Sequence, residues 1–507
     1  MNPFDLACTA SISRLMALCL IILGLSGCGQ STSPSSAPTA STILAFPLVA
    51  SGIGRYLQDQ NGMPFPILGR TAWFITSLSE TDYKTFIDDS VAKGYNAIEF
   101  HVVNHWPRGN NPPFGGNGAL PFTNQLDGFP WSGLQGFATP YVNIATDAPD
   151  FTQPNEAYWR HVDALLAYAE SKGVLCFMFP AYVGFDGGSF SAGSQGWMTE
   201  MKANGVSRMH TYGAFIAARY KTRGNIVWML GGDHGLPFTA PELVVEQAML
   251  AGMTSVPGQA SRNFSAEWVR NSIYTDQSDA TLRAAGTLEG AYVDSGAVNT
   301  YARNGYAHAP AMPTFLLEGP YDEEGPDGNS FNPDATQPVR RFQWWGWLSG
   351  IGGYISGNGY VWPFNSLPPS DDWRSHLNTQ GAQDMARLNA FIRSIAWFNL
   401  VPSGLGGMGT LVTAGNSSPS ASDYVAAAAT PDGTLLVAYV PPGHSGAITI
   451  DMTVMSGSTR ARWFNPTSAQ YTPIGTFAHT GRISFTPPGN GDNGTGFTDW
   501  VLLLEKE

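Results

Sequence analysis

Two short apolar runs each end in a carboxylate beside glycine. One is Asn225-Ile226-Val227-Trp228-Met229-Leu230-Gly231-Gly232-Asp233-His234, and the other is Met312-Pro313-Thr314-Phe315-Leu316-Leu317-Glu318-Gly319-Pro320-Tyr321. Continuous apolar runs of this length between turn formers are the pattern of strands buried on both faces, the parallel strands of α/β folds. In a (β/α)8 barrel the carboxyl ends of such strands open together on one face, so two strand-end acids can face one another there.

The rest of the chain repeats the unit. Strands are predicted at 65–74, 95–103, 174–183, 225–232, 252–256, 290–294, 312–318 and 353–356. Helices are predicted between them, at 79–94, 155–172, 207–223, 241–251 and 339–348, with a closing helix at 381–398. Strand–helix alternation implies a parallel sheet. About eight units over residues 52–403 favour a (β/α)8 TIM barrel over a doubly wound sheet, because no glycine-rich phosphate loop follows the first strand. The excursion at 104–155 is long enough to serve as a lid or binding loop. Residues 404–507 change texture: short apolar runs separated by turns such as Pro431-Asp432-Gly433 predict a small all-β sandwich.

Of the 507 residues 43% are hydrophobic, enough for a large core, and the net charge is −13 without any Lys/Arg-rich run, which argues against a nucleic-acid partner. Arg14 precedes an apolar stretch at 15–25 that is too short for a lasting membrane span and fits a signal-peptide core. It leads into Leu25-Ser26-Gly27-Cys28, which resembles a bacterial lipobox. Residues 1–27 would then be a lipoprotein signal peptide, Cys28 the lipidation site and 28–51 a tether to the membrane. Gly29 rather than Asp after the cysteine points to the outer membrane of the cell envelope. Cys176 would be the one cysteine left unmodified, and it is expected to be an inert core thiol.

Glycosidic-bond hydrolysis needs one carboxyl group to protonate the leaving oxygen. A second must attack the sugar or activate water. Asp233 and Glu318 sit where the fourth and seventh strands would end, although a strand-end acid can equally cap a helix or pair with an arginine. Several neighbours could contact a carbohydrate. His101, Asn104, His105 and Trp106 follow the second strand, and Asp186 follows the third. His234 adjoins Asp233, Tyr321 could hydrogen-bond Glu318, and Trp362 could stack on a sugar. The run Asp322-Glu323-Glu324 reads as a solvated acidic loop. No zinc spacing, Walker loop or Gly-x-Ser-x-Gly elbow occurs, so no metal or cofactor is expected.

Arg55-Tyr56-Leu57, Leu68-Gly69-Arg70-Thr71-Ala72-Trp73, Gly94-Tyr95-Asn96-Ala97-Ile98, the segment 225–233 and Glu318-Gly319-Pro320-Tyr321 together resemble the apiosidase-like glycoside hydrolases. These are bacterial (β/α)8 enzymes acting on complex glycans. The segment 341–353 with Trp362 is similar to that family's seventh helix and eighth strand. Ala461-Arg462-Trp463-Phe464-Asn465-Pro466 and Asp499-Trp500-Val501-Leu502 are similar to a sandwich domain often joined to it, which carries a collagen-binding label in some family names. The resemblance implies that Asp233 is the acid/base, that Glu318 is the nucleophile and that the mechanism is retaining. It also marks three departures: Gly69-Arg70-Thr71, Ser255-Val256-Pro257 after the fifth strand, and Asp294-Ser295-Gly296 after the sixth. If these line the sugar pocket, the substrate differs from the family's type substrate. The same departures would permit an alternative, a glycan-binding surface lipoprotein without chemistry. A polysaccharide lyase would need a cation and a Tyr or His base, and no such set can be placed.

Overall fold

The computed structural model describes residues 44–103, 120–124, 144–184, 196–293, 297–324, 336–364, 372–489 and 498–507. Cys28, Asn104, His105, Trp106, Asp186 and Asp294 lie outside them. Eight strands alternate with eight helices. The strands are β1 (Ile67–Thr71), β2 (Ala97–His101), β3 (Leu175–Phe179), β4 (Ile226–Gly231), β5 (Asn263–Glu267), β6 (Glu289–Tyr292), β7 (Thr314–Glu318) and β8 (Gly353–Ser356). The helices that follow each in turn are α1 (Glu80–Ala92), α2 (Glu156–Ser171), α3 (Met198–Arg219), α4 (Ala240–Ser255), α5 (Ala280–Ala285), α6 (Val298–Ala307), α7 (Thr336–Ser349) and α8 (Gln380–Ser394).

All the strands run parallel, in the sheet order β5-β4-β3-β2-β1-β8-β7-β6, and the short strand Ser272–Ile273 adds antiparallel to β6. The seam between β5 and β6 is closed by the amides of Thr287 and Leu288, which donate to the Phe264 carbonyl at 2.9 and 3.1 Å, and by Ser265 Oγ, which donates to the Leu288 carbonyl at 3.0 Å. Side chains fill the interior: the Phe177 ring of β3 meets the Phe315 ring of β7 at 5.0 Å. The structure is thus the expected TIM barrel, with two revisions. Residues 252–256 are not the fifth strand, because 252–255 continue α4, an apolar helix covering the barrel; the strand lies eleven residues further on. The third helix starts earlier than expected, at Met198, and breaks at Gly205, whose φ of 70° leaves the helical region.

Local signals explain the helix ends. Ser79 accepts from the Asp82 amide at 3.2 Å and starts α1, with Glu80 and Asp82 in the positive first turn. Gly173, at φ 71°, follows the end of α2 in the left-handed conformation that glycine adopts without strain. Cys176 is buried on β3, and burial pushes its thiol pKa up, as expected of an inert core residue. Among the described residues no helix is long and apolar enough to cross a membrane.

The C-terminal strands form two antiparallel sheets. β10 (Ala426–Ala429), β11 (Leu435–Val440), β16 (Trp500–Lys506), β13 (Thr459–Phe464) and β14 (Tyr471–Phe477) make the larger one, with Val401–Pro402 at its other edge. β9 (Val412–Ala414), β12 (Ile448–Asp451) and β15 (Arg482–Phe485) make the smaller. Period-two alternation sorts the larger sheet between two cores. Leu435, Val437 and Tyr439 join the cluster of α7 and α8 with Trp344, Trp345 and Phe391, while Leu436, Ala438 and Val440 face the smaller sheet. The central strands are continuously apolar because both of their faces are covered.

A buried ion cluster ties the larger sheet to the barrel. Arg340 of α7 donates through Nε and Nη2 to both oxygens of Asp499, at 2.9 and 2.7 Å, and through Nη1 to Asp384 of α8. Tyr439 Oη also donates to Asp499, at 2.7 Å. Arg340 and both aspartate side chains are fully enclosed. Removing Arg340 leaves the enclosed Asp499 with Tyr439 and no cation among the described residues, while Asp384 keeps Gln380 and Arg387. Arg340→Met is therefore expected to cost about 3–5 kcal/mol in urea unfolding, lost from barrel and sandwich in one transition. A cost below about 1 kcal/mol would show that apolar packing alone holds the two together.

Candidate active site

The carboxyl ends of the barrel strands gather four acids. Asp233 follows β4, Glu267 ends β5, Glu318 ends β7, and Glu99 lies one turn of pleat deeper on β2. Glu99 is level with Phe177 in the β2–β3 register, so it shares that ring's inward face.

Asp233 is placed by two glycines. Gly231 and Gly232 have φ of 72° and 132°, and Asp233 itself has φ 41°, a left-handed conformation that aspartate tolerates better than most residues. A Cβ on Gly231 would lie 2.2 Å from the Glu267 carbonyl oxygen, and one on Gly232 would lie 2.3 Å from the Tyr182 ring. The chain can therefore turn between Tyr182 and Trp268 only with glycine at both positions. Amide bonds anchor the turn: Gly232 donates to the Glu267 carbonyl at 2.8 Å, and Gly231 to Glu246 Oε1 of α4 at 3.1 Å. Across the mouth, Arg270 Nε lies 4.0 Å from Asp233 Oδ2 while the arginine side chain stays 45% exposed.

Glu318 is placed by a register shift. Ala291 of β6 pairs with Leu316, and Tyr292 pairs with Glu318, so Leu317 is the extra residue of a bulge. Bulges of this kind re-aim side chains beside active sites. Tyr321 Oη donates to Glu318 Oε1, and Trp73 Nε1 in turn donates to Tyr321 Oη at 2.8 Å. The loop behind them is latched by Asp322, which accepts from Thr379 Oγ1 at 2.5 Å and from Asn358 Nδ2 at 3.2 Å. Asp322 is buried, and Glu323 pairs with His376 at 2.6 Å, so these two are structural rather than part of a solvated acidic loop.

Burial dominates the electrostatics. It pushes the Glu318 pKa up to about 7 with help from the charge of Glu324, while hydrogen bonds from Tyr321 and Glu267 and the charge of Arg270 work the other way. Burial raises Glu267 well above the ordinary carboxylate range, reinforced by the charges of Glu318, Asp233 and Glu99. Glu99 is raised in the same way, by burial and then by Glu318.

Other expected contacts take different positions. His101 is 1% exposed inside an aromatic cluster, 4.1 Å from the Tyr182 ring and 5.0 Å from the Trp73 ring; it packs beneath the mouth and offers no surface to a sugar. His234 turns its Nε2 to Glu242 of α4 at 3.5 Å, so it braces the helix start. Trp362 is half-buried with its ring 6.0 Å from that of Phe74. Two of the three sequence departures also lie away from the mouth. Arg70 points outward to Asp89 of α1 at 2.9 Å, and Ser255-Val256-Pro257 sits at the far end of α4, on the opposite barrel face. The residues that follow the fifth strand are Trp268-Val269-Arg270.

Glu99, Glu267, Arg270 and Tyr292 were not anticipated. Glu267 carried the signal already used for Asp233 and Glu318, an acid at a strand end, but the strand was placed too early. Glu99 was legible as a lone acid inside Ala97-Ile98-Glu99-Phe100-His101. Because the Tyr321 hydrogen bond favours ionised Glu318, Tyr321→Phe should move the Glu318 titration to higher pH, read by carbon-13 NMR of the carboxyl group; an unmoved or lowered titration would contradict this.

A family model for the apiosidase-like catalytic domain matches residues 51–399, and a second model, whose description names collagen binding in a collagenase, matches 411–505. No curated protein matches the chain significantly. A solved glycoside hydrolase aligns with TM-score 0.68 and 18% identity, covering 91% of this chain and 97% of its own. A family 5 glycoside hydrolase from Bacteroides vulgatus aligns with TM-score 0.68 and 20% identity, covering 91% and 95%. The barrel and sandwich are thus shared along nearly the whole length of both. The chain belongs to the apiosidase-like family of glycoside hydrolases.

Proposed function

We propose that the protein hydrolyses a glycosidic bond in a complex polysaccharide or oligosaccharide by a retaining, two-carboxylate mechanism. One observation carries this reading: β4 and β7 deliver Asp233 and Glu318 to the same mouth, and Arg270 acts on both. Asp233 donates a proton to the departing glycosidic oxygen while a Glu318 oxygen attacks the anomeric carbon. The leaving group departs as an alcohol and a glycosyl ester forms. Asp233, now ionised, takes a proton from water; the water oxygen attacks the anomeric carbon and Glu318 leaves as a carboxylate. Trp362, half-buried, is the stacking platform. The loss of two supposed pocket departures removes much of the support for a non-catalytic glycan binder.

A panel of polysaccharides and aryl glycosides identifies the substrate. On it, Glu318→Gln should abolish turnover and leave binding largely intact, and Asp233→Asn should lower kcat by about 10²–10⁴-fold. Only ionised Glu318 attacks, so kcat/KM should fall as pH drops through about 7. Substantial hydrolysis by Glu318→Gln would refute the assignment.

The lipobox-like Leu25-Ser26-Gly27-Cys28 supports anchoring of the enzyme in the bacterial outer membrane through lipid on Cys28. Cys28→Ala should then abolish incorporation of labelled palmitate; undiminished labelling would rule this site out.

A further inference from the structure

We propose that Glu267 is a positioning residue for Glu318, a neutral carboxylic acid whose O–H is donated to the Glu318 carboxylate throughout the reaction. The proposal rests on the reading of Glu318 as the nucleophile. The two side chains lie within hydrogen-bonding reach, and ionised carboxylates only accept, so their contact requires one proton between them.

The surroundings decide where that proton resides. Glu318 has a donor in Tyr321, feels the cation of Arg270 and reaches the mouth, where it is partly exposed. Glu267 is wholly enclosed, and among the described residues neither of its oxygens meets a donor. Three other acids act on its charge, Glu99 from β2, Asp233 after β4 and Glu318 from β7, and the phenols of Tyr182 and Tyr292 interact with it too. An ionised Glu267 would thus be buried, without a donor, among three other carboxylates. A protonated Glu267 has its O–H satisfied by Glu318. Burial and the charges of Glu318, Asp233 and Glu99 raise the Glu267 pKa, in agreement with a proton held there. Glu99 is equally enclosed, and neither of its oxygens meets a donor among the described residues, so it too is held neutral. Of the four acids, Asp233 and Glu318 are left to react with the substrate.

The proton stays on Glu267. When Glu318 bonds to the sugar its oxygens lose charge and the hydrogen bond weakens; when water displaces the sugar, the bond strengthens on the departing carboxylate. Glu267 therefore orients the nucleophile and eases its release without exchanging a proton with substrate.

Glu267→Gln keeps a donor of the same shape, while Glu267→Leu removes it. On the aryl glycoside or polysaccharide hydrolysed by the wild type, the Gln variant should keep kcat within about tenfold and leave the acid limb of the pH profile in place. The Leu variant should lose about 10²-fold, with its acid limb moved to higher pH. Carbon-13 NMR of labelled glutamate supplies a reading without substrate: in the wild type Glu267 should stay protonated while Glu318 ionises. Equal losses in the Gln and Leu variants would overturn the proposal, as would an unmoved acid limb in the Leu variant or a Glu267 titration below that of Glu318. Turnover by Glu318→Gln would instead defeat the nucleophile assignment, while the NMR order of titration would still report on the hydrogen bond.

Discussion

Four carboxyl groups meet in one largely enclosed barrel mouth, and they cannot all be charged at once. Two ions 4 Å apart repel by about 4 kcal/mol at an effective dielectric of 20, and each also loses hydration on burial. The molecule meets this constraint by unequal treatment. Glu99 and Glu267 are sealed in without donors, whereas Glu318 receives Tyr321 and Asp233 faces Arg270. Environment alone thus separates chemically equivalent groups into two enclosed without donors and two with a donor or a cation beside them.

The backbone devices around the mouth serve that separation. The glycine pair before Asp233 lets the chain cross between two aromatic rings, and the bulge at Leu317 sets Tyr292 opposite Glu318. The latch at Asp322 then fixes the loop that carries Tyr321. Behind the barrel, the sandwich is joined through a fully enclosed arginine and an apolar sheet face, so it acts as a fixed wall of the barrel's outer layer.

Much of this arrangement was readable in the chain. The runs ending at Asp233 and Glu318 are apolar because both faces of a barrel strand are covered, and the two glycines before Asp233 are required by close approaches. β5 was not readable in the same way. Asn263-Phe264-Ser265-Ala266-Glu267 has only two apolar side chains, because its inward positions carry a serine that closes the seam and an acid that faces the mouth. Residues 252–255 belong to a helix packed on the barrel, and periodicity over so short a window does not separate helix from strand. His101 and Arg70 show a related limit: residue type suggests polarity, while direction along the pleat decides whether a side chain meets substrate, aromatic core or helix layer.

The central claim is that Glu318 attacks the sugar while Glu267 keeps its proton. Incubation with a panel of activated 2-deoxy-2-fluoro glycosides, followed by peptide mass spectrometry, tests it most directly, because such sugars slow release of the covalent intermediate. One sugar should be found on the peptide bearing Glu318, with Glu267 and Asp233 unmodified. A label on Glu267 or Asp233, or a hydrolysis product of inverted anomeric configuration, would contradict the account.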